Sequence, residues 1–388
     1  MKKKLYITRA IKLTAFFLLS ALVIGVLQEY VLCHHDANRL RLDAFYIEDK
    51  ETIDVAMIGS SEMYSGISPA LLYEKYGITS FPYATASSTA AAMKTQIKEM
   101  ERTQTPELIV IEINCFLYGT DNEEKESSIR NYIDNVPLNG NKIEYIESTP
   151  AVRDLGRREF YFPILKYHGV WNDYPEPWNK MTSRITQDLR GYSYLKGFKT
   201  TAQTLKIDEK VYNSQLPNDE SRTDLEPRYE VFLREFLDYC KEQNYNNLLF
   251  VRFPHIVKQE TYKRFTRGNR AFDIISEYGF NYINFERDST AMSYSTDDYY
   301  NHDHLNIYGS VKFTDYFGKI ITDKYKVQKT VLDEKNEKQW NEAVDFWYKF
   351  YDYTDYRFKQ NTKNKKIELY ETNDLIKKVE EYAAKKDK

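Results

Sequence analysis

Two short stretches of the chain carry residue types that could cleave an ester. Ser60 and Ser61 directly follow the apolar run TIDVAMIG, so both lie where a predicted strand ends in a turn. Near the other end, Asp303 and His304 precede a glycine and an aromatic-rich segment. A serine hydroxyl becomes nucleophilic when a histidine takes its proton, and a third group must hold that histidine in one tautomer. The two stretches together predict acyl-ester chemistry, provided that the fold brings them into contact.

The elements between them have to create that contact. Short apolar runs alternate with amphipathic segments, which predicts a parallel sheet covered by helices on both faces. In such sheets functional side chains collect at the carboxyl ends of the strands, where Ser60 and Ser61 lie. The predicted strands occupy residues 52–60, 78–83, 107–114, 247–253 and 280–285.

The N-terminus predicts a membrane anchor. Residues 13–28 (LTAFFLLSALVIGVLQ) carry no charge and would rise about 24 Å as a helix. Snorkelling of Lys12 and an extension through Leu32 would bring this segment to the ~30 Å of a hydrocarbon core. The alternative is a cleaved signal peptide, but no Ala-x-Ala site follows the apolar run. Because Lys2 to Lys4 precede the segment, we expect a cytoplasmic N-terminus, a single pass through the cell membrane, and an extracytoplasmic domain.

The pattern divides the chain into three parts. Residues 1–33 form the cytoplasmic stub and anchor, and residues 50–325 form the α/β domain, with an insertion at about 118–227 that caps or shapes the site. Residues 329–388 are a charged, aromatic-rich helical extension, which we expect to be an appendix rather than a catalytic part.

Composition narrows the classes of partner. The net charge is -3, which argues against nucleic-acid binding, and 42% apolar residues allow a large core. The 34 tyrosines are typical of glycan-binding surfaces or, alternatively, of a compositional bias. The three cysteines have no metal-like spacing, and a Cys115–Cys240 disulfide is an open alternative. We expect no metal and no cofactor.

The motifs resemble a known superfamily. Gly59-Ser60-Ser61 after a strand, together with Asp303-His304-Leu305-Asn306-x-x-Gly309, resembles the SGNH/GDSL hydrolases, and in particular the membrane-anchored, extracytoplasmic DltD-like proteins of Gram-positive bacteria. The resemblance covers about residues 50–325 and includes Tyr167-His168-x-x-Trp171. It implies a flavodoxin-like three-layer sandwich with a parallel sheet. It also implies that Ser61 is the nucleophile, with its backbone N–H as an oxyanion donor, and that His304 is the general base.

Several positions depart from the family pattern. The usual aspartate three residues before the histidine is Asn301, so Asp303, Asn301 and Asp298 are alternatives for orienting His304, and we take Asp303 as the third catalytic candidate. The glycine of the second block is absent, which leaves Ser88 as an oxyanion or substrate-binding candidate. Further candidates for this role are Asn114, at the third block, and His168 with Trp171, which either line a substrate cleft or pack within the insertion.

The resemblance also implies a function and its setting. We expect a serine esterase or O-acyltransferase that forms an acyl-enzyme on Ser61 and acts on acyl esters of a cell-surface glycan or a teichoic-acid-like polymer. A multi-pass membrane acyltransferase would be its partner. The alternative is a catalytically inactive relative that binds glycan or scaffolds a polysaccharide assembly complex, which the loss of the aspartate at position 301 favours.

Overall fold

The architecture is a mixed α/β fold with one central parallel sheet. The computed structural model describes residues 2–118, 122–173, 175–207, 210–288 and 295–386. The strands are β1 Val55–Gly59, β2 Ser80–Ala84, β3 Leu108–Glu112, β4 Lys199–Thr201, β5 Leu248–Arg252, β6 Asn281–Asn284, β7 Tyr299–Asn301, β8 His304–Leu305 and β9 Glu368–Tyr370. The central sheet has the order β2-β1-β3-β5-β6, and all of its pairs are parallel. The predicted parallel sheet is therefore confirmed.

The described residues form sixteen α-helices. They are α1 Lys2–Val26, α2 Ala37–Tyr46, α3 Ser61–Gly66, α4 Pro69–Tyr76, α5 Met93–Met100, α6 Glu126–Ile133, α7 Gly140–Ser148, α8 Pro150–Leu155, α9 Arg158–Tyr161, α10 Ile164–Tyr167, α11 Glu176–Arg190, α12 Pro227–Glu242, α13 Tyr262–Glu277, α14 Ile307–Asp323, α15 Glu334–Gln360 and α16 Asn373–Lys386. Short 3-10 turns join several of them.

Strands β1, β2, β3 and β5 of the sheet are buried on both faces, whereas the edge strand β6 is partly exposed. Along β1, Ala56 and Ile58 pack into one apolar cluster, whereas Val55 and Met57 pack into another. Strands β3 and β5 divide in the same way, because successive side chains of a strand point to opposite faces. Helices α2, α5, α12 and α13 contribute to the first cluster, and α3, α4 and α14 to the second. This double covering explains why the strands read as continuous apolar runs.

The N-terminal helix is long and apolar enough to cross a membrane. It runs from α1 through a π-helical turn at Leu27–Val31, and its apolar part is Tyr6–Val31. These 26 residues span about 39 Å, which exceeds a ~30 Å hydrocarbon core. None of its most apolar window is buried inside the protein. The helix is therefore longer than the uncharged segment 13–28 suggests.

The insertion and the C-terminal extension both pack against the α/β core. The insertion forms helices α6 to α11, and α11 contacts α2. In the extension, α15 packs on α4, and β9 pairs antiparallel with β4 of the insertion. The three cysteines, Cys33, Cys115 and Cys240, are free and buried, so the alternative of a Cys115–Cys240 disulfide is wrong.

Candidate active site

The end of β1 presents two serines that face different neighbours. Ser60 caps α3 in an extended conformation, and its hydroxyl and its backbone N–H both donate to Oε2 of Glu112, at 2.6 and 2.9 Å. Gly59 permits this approach, since a Cβ there would lie 2.7 Å from Cβ of Glu112. Ser61, the first residue of α3, points its Oγ to Nε2 of His304 at 2.6 Å. Of the two serines, Ser61 is the one that contacts a base.

A short hairpin positions His304. Strands β7 and β8 pair Asn301 with His304, so their side chains lie side by side. The Oδ1 atom of Asn301 lies 2.9 Å from Nδ1 of His304 and accepts the backbone N–H of Asp303, also at 2.9 Å. Because that second bond orients the amide with its oxygen toward the ring, Nδ1 must carry the proton. Nε2 is then free to accept the proton of Ser61.

The surroundings keep the imidazole neutral. Burial lowers the pKa of His304, and the charges of Glu62 and Asp303 offset this only in part. The ring of Tyr300 stacks on His304 with the centroids 5.1 Å apart. A neutral imidazole with a free Nε2 is the form that a general base requires.

The carboxylate of Asp303 is engaged elsewhere. Its Oδ1 pairs with Nη1 of Arg264 at 3.1 Å. Burial would raise the pKa of Asp303, but the positive charges around it, of which that of Arg264 acts most strongly, together outweigh burial, and the pKa falls to about 2. Asp298 accepts the backbone N–H of Ser295 and pairs with Lys312. The residue that contacts Nδ1 of His304 is therefore Asn301 rather than the candidate Asp303, because the hairpin places position 301 opposite position 304.

A buried polar network lies behind the Ser61–His304 pair. Asn114, which follows β3, donates to Glu62 and to the hydroxyl of Tyr118, and it accepts from Arg252 at 2.8 Å. Arg252 also pairs with Glu286 at 2.7 Å. The members of this network come from the ends of adjacent strands: Glu62, Glu112, Asn114, Tyr118, Arg252, His255 and Glu286.

His255 joins two of these carboxylates. Its Nε2 lies 3.0 Å from Glu62 and its Nδ1 lies 2.9 Å from Glu286, as ion-pair contacts without hydrogen-bond alignment. Burial lowers the pKa of His255, but the two carboxylates prevail and raise it to about 9. Burial and the charge of Glu62 raise the pKa of Glu112 to about 7, against the hydrogen bonds that it accepts. At neutral pH this network therefore holds a protonated His255 between Glu62 and Glu286, and the carboxyl group of Glu112 is near the midpoint of its titration.

The other candidates lie in different places. Ser88 follows β2 and is fully buried, and its Oγ has no hydrogen-bond partner among the described residues. Both amide hydrogens of Asn114 are directed at Glu62 and Tyr118. His168 is exposed at the end of α10, where Nδ1 contacts the carbonyl of Leu165 at 2.9 Å. The side chain of Trp171 lies outside the described residues.

The C-terminal extension reaches the rim of the site. The β4–β9 pair contacts α3 through β4, and the charge of Lys366 acts on His304. Lys199 on β4 pairs with Glu368 on β9 at 3.1 Å. The extension thus forms part of the wall near the Ser61–His304 pair, a position that its charged sequence does not indicate.

The buried network was not predicted from the sequence, although the sequence contains a signal for it. A charged residue stands at or just after the end of three strands of the central sheet. These residues are Glu112 at the end of β3, Arg252 at the end of β5, and Glu286 just after β6. Charged residues are almost never fully buried unless paired. Three such residues at one sheet edge indicate mutual pairing there.

Comparison with models of known protein families matched none of them, and comparison with curated protein sequences found no match.

Proposed function

We propose that this chain is a serine esterase or O-acyltransferase of the SGNH type. The observation that carries the proposal is the Ser61 Oγ to His304 Nε2 distance of 2.6 Å, with Asn301 accepting at Nδ1. The strand order supports it as well. Counted along the central sheet alone, the order is 2-1-3-4-5, which is the flavodoxin-like order that the resemblance implies.

The reaction proceeds in two steps. As Oγ of Ser61 attacks the ester carbonyl carbon, its proton passes to Nε2 of His304, and the carbonyl oxygen takes the negative charge. The backbone N–H of Ser61 lacks an intrahelical acceptor, as the first N–H groups of any helix do, and it donates to this oxyanion. Collapse breaks the ester C–O bond, and the leaving alcohol takes the proton from Nε2. Water or a sugar hydroxyl then attacks the acyl-enzyme and loses its proton to the same nitrogen. Collapse of this second intermediate breaks the bond between the acyl carbon and Oγ of Ser61, and Oγ takes the proton back from Nε2.

Asn301 sets the strength of the base. Its carbonyl oxygen holds Nδ1–H in place, but it is neutral and stabilises the imidazolium less than a carboxylate would. The hydrogen-bond geometry at Nδ1 of His304 is that of a catalytic triad, but the acceptor lacks the negative charge of an aspartate. We therefore expect a slow enzyme of this class rather than a fast one.

The proposed setting is the outer face of the cell membrane, with the N-terminus in the cytoplasm. The basic residues before the apolar helix support this orientation. The substrate class is an acyl ester on a cell-surface glycan or a teichoic-acid-like polymer, and the proposed partner is a multi-pass membrane acyltransferase. Anchoring raises the effective concentration of an enzyme beside a donor and an acceptor that both lie at the membrane surface.

A fluorophosphonate probe tests the proposal without knowledge of the substrate. The full-length protein in detergent or nanodiscs should be labelled, and Ser61→Ala should abolish labelling. Replacing the base in His304→Gln should slow labelling about 10²- to 10⁴-fold. Ser60→Ala is the matched control, because Ser60 is adjacent and faces Glu112 instead of the histidine. Labelling that survives in Ser61→Ala would overturn the assignment.

A second candidate is a catalytically inactive glycan-binding or scaffold protein. The pairing of Asp303 with Arg264, together with the neutral Asn301, favours it, because the described residues place an amide rather than a carboxylate at Nδ1 of His304. Absence of labelling in a folded protein that retains glycan binding, equally in the Ser61→Ala variant, would select this candidate over the enzyme.

A further inference from the structure

A cavity lies where the apolar N-terminal helix enters the folded domain. It has a volume of about 570 Å³ and opens to the surface. One wall is the segment directly after the helix, which includes His34 and His35, and the other wall comes from the insertion, with Lys166, Tyr167 and Lys180. The rings of His34 and Tyr167 stack in parallel with centroids 5.5 Å apart. These cationic and aromatic side chains share the lining with the carboxylate of Glu176 and with the apolar residues Val170 and Pro177.

The last turn of the anchor is clamped to the same part of the insertion. Glu29 pairs with Arg39 of α2 and Arg184 of α11. The guanidinium of Arg184 lies 4.2 Å from the ring centroid of Tyr30, whose hydroxyl donates to Asp188. An ion-paired glutamate at the end of an apolar helix marks the level of the lipid headgroups, because a charge deeper in the hydrocarbon is costly. Helix α11 therefore runs beside the anchor at headgroup level.

Exposed apolar side chains lie next to lining residues in the sequence and along α11. Leu165 precedes the lining residue Lys166, and Trp178 follows the lining residue Pro177. Leu189, next to Asp188, is 85% exposed. We call the set the apolar face: Phe162, Leu165, Trp178, Ile185 and Leu189. Exposed apolar patches of this kind mark contact surfaces, and tryptophan is enriched at membrane–water interfaces.

We propose that the apolar face rests on the membrane leaflet at the C-terminal end of the anchor, and that the cavity holds the phosphate group of a phospholipid. The continuity of this face with the end of the anchor selects the bilayer as its occupant. A polar cavity framed by apolar side chains matches a headgroup rather than an acyl chain.

Both lysines of the lining pair with a carboxylate, which a phosphate group would replace. Lys180 pairs with Glu176 at 2.7 Å, and Lys166 pairs with Glu126 at 2.7 Å. The side chain of Glu176 is 73% exposed, so it can turn into water when an anion enters. This proposal rests on the membrane anchorage and is independent of the proposed catalysis.

Spin labels on the full-length chain in nanodiscs of phosphatidylcholine and phosphatidylglycerol test the face. Labels at Leu165→Cys and Trp178→Cys should be accessible to oxygen and protected from a water-soluble nickel complex. A label at Leu22→Cys reports the anchor itself, and one at Val331→Cys, where the native side chain is 95% exposed, reports water. The unsubstituted chain is treated in parallel to measure reaction of the three buried cysteines.

The control positions distinguish failure of the proposed membrane face from failure of the membrane anchorage. If Leu22 reports lipid while positions 165 and 178 behave like 331, the anchorage stands and the face is refuted. If Leu22 also reports water, the anchorage itself is refuted, and the face with it. Neither result bears on fluorophosphonate labelling of Ser61.

Native mass spectrometry of the detergent-extracted chain tests the cavity. Phospholipid retention should weaken about 25-fold in the double variant Lys166→Gln, Lys180→Gln, since each lysine near a membrane surface contributes about fivefold in affinity. The exposed Lys338→Gln should retain lipid as the unchanged chain does. Equal retention in the double variant would overturn the headgroup site.

Discussion

The neutral partner of His304 leads to a specific gain-of-function prediction, Asn301→Asp. The substitution places a carboxylate where Oδ1 of Asn301 now lies, 2.9 Å from Nδ1. Unit charges about 4 Å apart attract by about 4 kcal/mol at an effective dielectric constant near 20. Burial of the new carboxylate offsets part of this. A charge-assisted hydrogen bond is worth about 1.5–3 kcal/mol, so we expect labelling to accelerate about 10- to 100-fold.

The assay is the rate of fluorophosphonate labelling as a function of pH. The carboxylate stabilises the imidazolium, so the pKa of His304 should rise, and the acid limb of the profile should move to higher pH. Above that limb the variant should be faster than the unchanged protein, because the stronger base takes the proton of Ser61 more readily.

Two further variants test whether Asn301 holds His304 in place. Asn301→Ala removes the acceptor and should slow labelling by tenfold or more. Asp303→Asn should have a smaller effect, because that carboxylate faces Arg264 rather than Nδ1. Thermal unfolding shows whether each variant is folded. If folded Asn301→Asp is no faster and its acid limb does not move, or if Asp303→Asn is the more damaging change, Asn301 does not hold the base.

Four other predictions concern stability and topology. The folded-state pKa of Glu112, about 7, lies above its ordinary value, so ionisation of this carboxyl group opposes folding. The free energy of unfolding should therefore fall by about 3 kcal/mol as pH rises from about 4.5 through 7. Glu112→Gln should flatten this part of the pH–stability curve, and an unchanged slope would contradict the raised pKa. Protonated His255, with a pKa raised to about 9, stabilises the fold below pH 6.5, and this contribution should be lost as pH rises through 9. In the His255→Gln variant, the midpoint of chemical denaturation should therefore depend less on pH between about 6.5 and 9, and only there. Gly309→Ala should cost about 1–3 kcal/mol or more in urea unfolding, because its Cβ would lie 2.2 Å from the carbonyl oxygen of Asp298; a cost below 0.5 kcal/mol would show that the backbone yields. N-terminal sequencing of the protein from membranes should find the uncleaved start, and cleavage between residues 20 and 36 would rule out a retained anchor.

The central sheet was predictable because its signal is local. Strands β1, β3 and β5 are continuous apolar runs, since each is buried on both faces and neither face can carry polar side chains. The same logic placed Ser61 at a carboxyl end of the sheet. Local structure also explains the asparagine and the glycine of the motif near the end of the domain. Asn306 caps α14, and Gly309 lets that helix approach Asp298.

The identity of the group behind His304 was not predictable in this way. Sequence spacing left Asn301, Asp303 and Asp298 as alternatives, and Asp303 was the wrong choice for contact with Nδ1. The decision depends on the register of the β7–β8 hairpin and on Arg264 of α13, which attracts Asp303 from a distant part of the chain. The carboxylate of Asp303 pairs with the nearest positive charge, and the packing of α13 determines where that charge lies.

Local pattern therefore accounts for the sheet, the apolar N-terminal helix and the position of Ser61, because burial on a regular element leaves a periodic trace in the residues themselves. Tertiary structure alone decided which serine meets the histidine, which side chain holds its tautomer, and that β9 of the C-terminal extension lies at the rim of the site. These are contacts between residues far apart in the chain, and their distances depend on how the elements pack rather than on the residues within any one of them.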